Sequence, residues 1–295
     1  MMRVTDLYRQ RKPVISMEFF PPRDQSAVEK FSGTIKLLSG LNPDYFSVTF
    51  GAGGSTRDGS YQLVKNLVIQ EKLPTVAYIA GFGLSPDDIR TVLDAYQALG
   101  VQTIFVIRGD RPATKDFKAH PDSFKYASDL IAYIKTHYDF TLGCAGYPEG
   151  HIESESLDTD IGYLKQKVNA GAQYIVTQYF YDNDYFFNFV EKCRQQRIDV
   201  PIIPGIMPVY TVKMTRMLSE ICGSAIPEKL DAQLKTIDPD DKAAVLELGI
   251  EVALDQCRGL LEKGVAGLHF YTMDRSKTTL EILRRLSQEK YLTLD

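Results

Sequence analysis

The residue best placed to do chemistry in this chain of 295 residues is Glu18. It follows the apolar run of residues 14–17 and precedes Phe19-Phe20-Pro21-Pro22, where the double proline ends the predicted strand. Carboxylates are seldom buried unless they are paired or used, because the loss of water favours the protonated form. Glu18 is therefore interpreted either as a buried proton donor or as half of a surface ion pair with Arg23.

A second polar group, Arg108-Gly109-Asp110, ends the apolar run of residues 105–107. Arginine can bind a phosphate, glycine lets a ligand approach the backbone, and aspartate can bind a polar heterocycle. The alternative is an Arg108–Asp110 ion pair that caps a loop. Ligand binding is favoured if the group lies at the open end of a barrel.

The segment Gly146-Tyr147-Pro148-Glu149-Gly150-His151 follows another predicted strand. Asp160 and Lys167 lie seven residues apart on the next predicted helix, and therefore on one face of it. Tyr147, His151 and Lys167 could together bind a ribose and a pyrophosphate. The alternatives are a loop histidine and a solvated lysine.

Other classes of catalytic site find little support in the sequence. The glycine-rich residues 51–57 have neither the ending of a P-loop nor the spacing of a dinucleotide fold, so a flexible rim loop or a plain turn is predicted. Neither a serine nor a cysteine lies in a nucleophile elbow, and no His, Asp and Glu residues have metal-ligand spacing. A hydrolase and a metalloenzyme are therefore not expected.

Composition narrows the class of protein further. Lys plus Arg is 34 and Asp plus Glu is 38, a net charge of −4, which argues against nucleic-acid and membrane-surface binding. The four cysteines are far apart, and there is neither a signal-peptide core nor a long apolar segment. We expect a soluble cytoplasmic protein without disulfides or bound metal.

Short β-branched or aromatic runs alternate with amphipathic segments along the whole chain, which predicts a parallel sheet. Eight such repeats without a Rossmann fingerprint favour an α/β fold of the (β/α)8 TIM-barrel type, with residues 1–295 as a single catalytic domain. Residues 226–263 exceed one repeat and predict one or two extra helices before strand eight. Strands are predicted at residues 14–20, 45–50, 75–80, 103–108, 141–147, 174–179, 201–206 and 267–272, and helices at 27–38, 61–70, 86–99, 122–136, 157–170, 184–194, 212–221 and 276–288.

Active sites of such barrels lie at the carboxyl ends of the strands. Polar residues are dense at these positions, which supports a functional role for them. The candidates are Glu18, Thr49, Tyr78, Arg108 to Asp110, Tyr147, Gln178, residues 204–208 and His269 to Arg275.

An ordered set of motifs resembles the methylenetetrahydrofolate reductase family over nearly the whole chain. The motifs are Glu18-Phe19-Phe20-Pro21-Pro22, Ser47-Val48-Thr49, Arg108-Gly109-Asp110, Tyr126-Ala127-Ser128-Asp129-Leu130, Ala145 to His151, Thr177-Gln178, Pro204-Gly205-Ile206 and His269 to Arg275.

The resemblance implies a TIM barrel with FAD that reduces 5,10-methylenetetrahydrofolate to 5-methyltetrahydrofolate with NADH or NADPH. The two substrates would use one flavin face in turn, which gives ping-pong kinetics. It further implies a role in one-carbon metabolism and methionine biosynthesis, a homo-oligomer, and the short form without a regulatory domain.

The resemblance also assigns roles to individual residues. Glu18 matches the general acid that protonates the folate, and Asp110 matches an aspartate that contacts both pterin and flavin. Gln178 matches the amide that recognises the pterin, and Arg275 a residue near the glutamate tail of the folate. FAD-binding positions match Thr49, Phe50, Ala52, Tyr78, Arg108, Gly109, Asp110, Tyr126, Ala127, Tyr147, His151, Asp160 and Lys167.

Two departures from the family pattern concern the cofactors. Relatives have His-x-Thr-Cys on strand three where this chain has Tyr78-Ile79-Ala80-Gly81, so hydrogen bonding to FAD is expected to change. Bacterial relatives have a phenylalanine that stacks on substrate or nicotinamide cofactor where this chain has Val212, with Tyr210 two residues earlier. Either Tyr210 replaces the phenylalanine as the stacking residue, or nicotinamide binding is weaker.

These departures leave a second function open. The chain could be a folate- and flavin-binding subunit that takes electrons from a partner protein rather than from a nicotinamide. A third interpretation, a flavin-free aldolase, requires a Schiff-base lysine at a strand end, and none of the predicted strands ends in lysine.

Overall fold

The computed structural model describes residues 3–10, 12–21, 25–51, 54–110 and 117–293, with the backbone alone for 25–30 and 54–57. Eight parallel strands form a closed barrel in the order of the chain, so the predicted TIM-barrel fold is confirmed. The strands are β1 (Val14–Phe19), β2 (Tyr45–Val48), β3 (Thr75–Ala80), β4 (Thr103–Ile107), β5 (Thr141–Gly146), β6 (Tyr174–Tyr179), β7 (Ile202–Ile206) and β8 (Gly267–Tyr271).

Helices follow the strands and cover the outside of the barrel. They are α1 (Val4–Leu7), α2 (Gln25–Ser39), α3 (Gly54–Lys65), α4 (Pro86–Ala98), α5 (Ala127–His137), α6 (Leu157–Ala170), α7 (Asn183–Gln195), α8 (Val212–Cys222), α9 (Glu228–Thr236), α10 (Lys242–Glu262) and α11 (Ser276–Gln288). The π-helical turn Asn66–Gln70 continues α3. Helices α9 and α10 confirm the extra helical segment before β8.

The ends of several elements differ from the prediction. Most strands are one or two residues shorter than predicted, because the terminal polar or aromatic residues have already left the barrel ladder. The helix predicted at 122–136 begins at Ala127, where the Asp129 side chain accepts a hydrogen bond from the Tyr126 backbone N–H. The rim loop predicted at 51–57 is wrong from Gly54 onward, because α3 begins there, whereas Ala52 lies outside the described residues.

Local signals in the sequence explain the helix ends that were predicted correctly. Ser85 caps α4, and its side chain forms a reciprocal capping box with Asp88. The Asp241 side chain caps α10 by accepting hydrogen bonds from two backbone N–H groups. Gly171 ends α6 with a φ of 129°, a conformation that favours glycine.

The barrel interior holds more polar and aromatic side chains than an aliphatic core would. Tyr78 stacks on Phe105 at 4.5 Å between ring centroids, and Phe105 also contacts Tyr174. Gly143 leaves the space for these rings, because a Cβ there would lie 2.3 Å from the Tyr174 ring. The aromatic layer closes the middle of the barrel and leaves the polar groups toward the carboxyl ends of the strands.

None of the helices in the described part of the chain is long and apolar enough to cross a membrane.

Candidate active site

Glu18 is the penultimate residue of β1 and is buried, with 5% of its surface exposed. In the strand register it pairs with Ser47 of β2 and Tyr271 of β8. Its backbone carbonyl accepts a hydrogen bond of 2.6 Å from the Thr272 hydroxyl. Glu18 is therefore a buried acid whose backbone is held by two neighbouring strands, and this burial argues against a surface ion pair, although its proposed partner Arg23 lies outside the described residues.

Two phenols face the Glu18 side chain inside the barrel. Burial raises the pKa of Tyr78 well above its usual value, and the charge of Glu18, followed by that of Tyr271 and a hydrogen bond to Glu18, raises it further. Burial, followed by the charge of Glu18, likewise raises the pKa of Tyr271. Both hydroxyls therefore keep their protons: that of Tyr78 can donate to Glu18, whereas that of Tyr271 donates to the Thr177 carbonyl at 2.8 Å. Tyr78 thus lies beside the acid, within the barrel rather than on its rim.

The Arg108-Gly109-Asp110 segment lies at the end of β4, but its arginine pairs elsewhere. Arg108 Nη1 donates to Glu153 Oε2 at 2.5 Å, so the predicted Arg108–Asp110 pair is not the contact that forms. Gly109 has a φ of +86°, and a Cβ there would lie 2.9 Å from the Cβ of Ala80. Asp110 is exposed at the mouth. The glycine turn presents Asp110 to a ligand without blocking the approach.

Side chains after β5 and on α6 form one group beside the mouth. Lys167 Nζ donates to the Ala145 carbonyl at 2.6 Å and lies 5.7 Å from the centre of the Tyr147 ring. The Tyr147 and His151 rings are edge to face at 4.7 Å. Asp160 is buried and accepts a hydrogen bond from Ser154 at 3.1 Å. The predicted grouping is confirmed in geometry, and Lys167 is not a solvated surface lysine.

Burial also changes the pKa of Asp160, the carboxyl group among these side chains. The pKa of Asp160 is raised by desolvation, although the charge of Lys167 and the hydrogen bond from Ser154 oppose the rise. Tyr147 also has a raised pKa, mainly through burial. The group therefore combines a cation, a phenol, an imidazole and a carboxyl group, which together suit a ligand with phosphates and sugar hydroxyls.

The opposite side of the mouth is formed by β6 to β8. Gln178 is half-buried and lines a small cleft with Tyr147, Glu149 and Cys222. Tyr210 is buried and donates its hydroxyl to the Tyr271 carbonyl at 2.9 Å, and Arg275 lies 5.7 Å from the centre of its ring. Tyr210 thus supports β8 and Arg275, and its ring is not free to stack on a ligand.

The remaining predicted residues lie on the rim or near it. Val212 begins α8 and packs, half-buried, with Val209, Leu230 and Leu234. The described backbone places four further residues at the rim: Thr49, Phe50, Tyr126 and Ala127.

Sequence reasoning missed two residues that matter here, Glu153 and Ser16, and it included Asp274 in the candidate segment His269 to Arg275 without predicting its contact. Glu153 pairs with Arg108, and Asp274 Oδ1 accepts a hydrogen bond from the Phe20 N–H at 3.2 Å. Ser16 points into the barrel beside His269, which is 1% exposed and lies deeper than the mouth. Ser16 could have been found, because residues alternate across a strand and Ser16 must share the face of Glu18. Glu153 and Asp274 gave no periodic signal.

Known proteins are similar to this chain over nearly all of its length. The family described as Methylenetetrahydrofolate reductase matches residues 3–287. The chain is 34% identical over 275 residues to 5,10-methylenetetrahydrofolate reductase of Escherichia coli, with 92% of this chain and 90% of the relative covered. It is 35% identical to Methylenetetrahydrofolate reductase (NADH) 1 of Arabidopsis thaliana, with 96% of this chain and 50% of the relative covered. The chain thus spans about half the length of its plant and fission-yeast relatives.

Among solved structures, one described as an uncharacterized protein from Clostridium thermocellum that binds two copies of 5-methyl-5,6,7,8-tetrahydrofolic acid aligns over 97% of both chains. The TM-score is 0.66 and the sequence identity is 19%, a likeness that concerns the fold.

Proposed function

This chain belongs to the methylenetetrahydrofolate reductase family, and from that premise we propose that it reduces 5,10-methylenetetrahydrofolate to 5-methyltetrahydrofolate with FAD and NADH or NADPH. The observation that carries the proposal is Glu18, a buried acid at the carboxyl end of β1, beside the phenols of Tyr78 and Tyr271. The names of the relatives support this substrate, and the name of the Arabidopsis relative supports NADH as a donor.

The group beside β5 and α6 fits FAD. Lys167 and Arg108 supply cations for a pyrophosphate, and Asp160 and His151 supply partners for ribose hydroxyls. Gly109 lets the ligand approach the backbone at β4. We assign the further FAD contacts to Thr49, Phe50, Ala52, Tyr78, Asp110, Tyr126, Ala127 and Tyr147. When bound, FAD supplies the hydride that reduces the folate.

Glu18 is proposed as the general acid. Opening the five-membered ring of the substrate requires a proton on a ring nitrogen, and a carboxyl group can donate it directly. The hydroxyl of Tyr78 can donate a hydrogen bond to the carboxylate that remains, which stabilises the charge left by the transfer. This chain therefore holds its acid among neutral donors instead of pairing it with a cation.

Substrate recognition is assigned to both sides of the mouth. Asp110 is proposed to contact the pterin and to lie near the flavin, and Gln178 offers both a donor and an acceptor to the pterin edge. Arg275 is exposed beside Tyr210, so its guanidinium can pair with the glutamate carboxylates of a folate. Val212 is assigned to the nicotinamide side of the site. Folate and nicotinamide then use one opening in turn, with ping-pong kinetics.

The wider organisation is also a proposal. We propose one catalytic domain, a cytoplasmic location and a homo-oligomer. The four cysteines, Cys144, Cys193, Cys222 and Cys257, are free, which suits a reducing compartment.

An anaerobic titration distinguishes the reductase from a subunit that depends on a partner protein for its electrons. Purified protein loaded with FAD is mixed with NADH or NADPH while the flavin absorbance is followed. The proposal expects the flavin to bleach with at least one nicotinamide. Flavin that stays oxidised with both, but is reduced by dithionite, would favour the electron-donor partner. Failure to bind FAD would contradict both functions.

A further inference from the structure

A buried serine–histidine pair lies inside the barrel, one layer deeper than Glu18. The register of β1 and β8 places Ser16 opposite His269. Ser16 Oγ is 2.8 Å from His269 Nδ1, and His269 Nε2 is 3.6 Å from Glu18 Oε2. Ser16 is 0% exposed and His269 is 1% exposed, so the pair is shielded from bulk solvent. The imidazole thus connects the serine to the proposed general acid.

One ring nitrogen of this histidine lacks a partner. Among the residues that the structure describes, His269 Nε2 is buried without a hydrogen-bond partner, although Nδ1 has one. Leaving a buried polar atom unpaired costs about 1–3 kcal/mol, so such an atom calls for an explanation. The Glu18 carboxyl group lies at ion-pair distance from it, and a small movement of either side chain would make a hydrogen bond. Glu18 is therefore the natural partner of Nε2.

The serine can accommodate both protonation states of Glu18. When Glu18 is ionised, Nε2–H donates to the carboxylate, and Nδ1 accepts from the Ser16 hydroxyl. When Glu18 is protonated, its O–H donates to Nε2, Nδ1–H donates to Ser16 Oγ, and the serine hydroxyl turns to the Leu268 carbonyl 3.4 Å away. The imidazole carries one proton in both arrangements, and they differ by the single proton that Glu18 gives up.

We propose that His269, held by Ser16, is a positioning residue for Glu18 whose preferred neutral tautomer at equilibrium depends on whether Glu18 is protonated or ionised. The arrangement keeps a partner for the acid in both states without placing a second charge in the barrel. Its catalytic meaning rests on the proposed function, whereas the coupling of tautomer to acid can be observed without flavin or folate.

Other titratable groups lie near this pair, and their effect on His269 must be distinguished from that of Glu18. Tyr45 of β2, Tyr78 of β3 and Tyr271 of β8 all have raised pKa values through burial, so they stay neutral near pH 7. Asp274, after β8, is a carboxyl group that also senses the charge of Glu18, and burial is the main cause that raises its pKa to about 6. The test is therefore carried out in an Asp274→Asn background as well as in the wild type.

The direct test is nitrogen-15 NMR of the histidine side chains in ligand-free protein. The chain has 4 histidines, and the His269→Gln variant identifies the resonances of His269 by their loss. In a pH series that takes Glu18 from its protonated to its ionised form, the His269 resonances are expected to change from the Nδ1–H to the Nε2–H pattern, with one proton on the ring throughout. The change is expected to persist with Asp274→Asn and to vanish with Glu18→Gln. A cationic His269, one tautomer throughout, or a change that survives Glu18→Gln would overturn the proposal.

A kinetic test then asks whether the pair matters to the acid. Ser16→Ala is expected to slow the folate-dependent step about tenfold and to move its pH profile, with nicotinamide-driven flavin reduction within about twofold of wild type. Thr141→Val is the matched control, since it removes another buried hydroxyl, one that has no hydrogen-bond partner in the described part of the chain, and is expected to change neither step. Equal slowing of both steps by Ser16→Ala would mean a merely structural role. Absence of any flavin or folate turnover would contradict the proposed function and leave the NMR result to decide this proposal.

Discussion

Two carboxyl groups at the barrel mouth, Glu18 and Asp274, are close enough to influence each other's charge. Asp274 follows β8 and accepts a hydrogen bond from the Phe20 N–H. Its pKa is raised to about 6, first by burial and then by the charge of Glu18, while the Phe20 hydrogen bond opposes the rise. Since neighbouring carboxylates resist being ionised together, Asp274 is expected to limit the negative charge around the acid.

The raised pKa of Asp274 predicts a dependence of stability on pH. The folded protein keeps a proton on Asp274 that the unfolded chain releases near its usual pKa of 3.8, so this contribution to stability falls as pH rises from about 4 to about 6. Asp274→Asn removes this pH-dependent loss of stability, and its amide oxygen can still accept the hydrogen bond from the Phe20 N–H. We expect it to raise the free energy of unfolding at pH 7 by roughly 1 kcal/mol, after discounting for partial exposure.

Urea unfolding of the variant and the wild type at several pH values measures this effect. Asp199→Asn, which alters an exposed carboxylate before β7, is the control and is expected to change little. An Asp274→Asn protein whose stability difference from wild type stays constant between about pH 4 and about pH 7 would show that Asp274 titrates normally.

At the scale of single elements, β7 depends on a glycine to bring β6 and β8 together. A Cβ at Gly205 would lie 2.2 Å from the Thr177 carbonyl oxygen and 2.6 Å from the Tyr271 ring. The Tyr271 hydroxyl donates to that same carbonyl at 2.8 Å. The glycine thus allows the Tyr271 ring to lie over β7, so that its hydroxyl reaches the Thr177 carbonyl of β6.

Gly205→Ala is expected to destabilise the protein by about 2 kcal/mol or more, because the Thr177 backbone cannot move aside cheaply. The control is Gly162→Ala on the exposed side of α6, where an added Cβ meets nothing within 4 Å. That control is expected to be neutral or stabilising by up to about 1 kcal/mol, as for alanine in any exposed helix. The midpoints of denaturant unfolding measure the stability of both variants. Equal midpoints would contradict the argument that a Cβ at Gly205 has no room.

The start of α8 offers a test of nicotinamide binding. Val212 is half-buried, so a larger side chain there can extend toward solvent without filling the core. If an aromatic ring stacks on the nicotinamide cofactor, Val212→Phe lowers the Michaelis constant for NADH or NADPH by up to about tenfold. Steady-state kinetics with each nicotinamide measure this change.

Tyr210→Ala provides the comparison, because Tyr210 is buried beneath Arg275 and bonded to Tyr271. It is expected to lower stability and to weaken folate binding rather than to act on the nicotinamide alone. If Tyr210→Ala selectively raises the Michaelis constant for NADH or NADPH and Val212→Phe has no effect on it, Tyr210 is the stacking residue instead.

For the molecule as a whole, the barrel followed from the alternation of strands and helices, but several contacts at its mouth did not. Alternation and strand-end position indicate Glu18, Arg108 and Gln178, since these depend only on local pattern and on closure of the sheet. The partner of Arg108 could not be predicted, because Glu153 lies in an irregular loop 45 residues away along the chain. The contact of Tyr78 with Glu18 was not predicted for another reason: a motif match gives a position in β3 but not a side-chain direction.

Formation of 5-methyltetrahydrofolate by protein whose FAD has been reduced beforehand tests the central claim most directly. The reduced protein is mixed anaerobically with 5,10-methylenetetrahydrofolate, and product is quantified by mass spectrometry alongside the return of flavin absorbance. We expect stoichiometric product from the wild type, and a rate lowered by about 10²-fold or more in Glu18→Gln, with nicotinamide-driven flavin reduction unchanged. Wild-type protein that binds FAD and folate but yields no product, or a Glu18→Gln variant with near-normal folate turnover, would contradict the account.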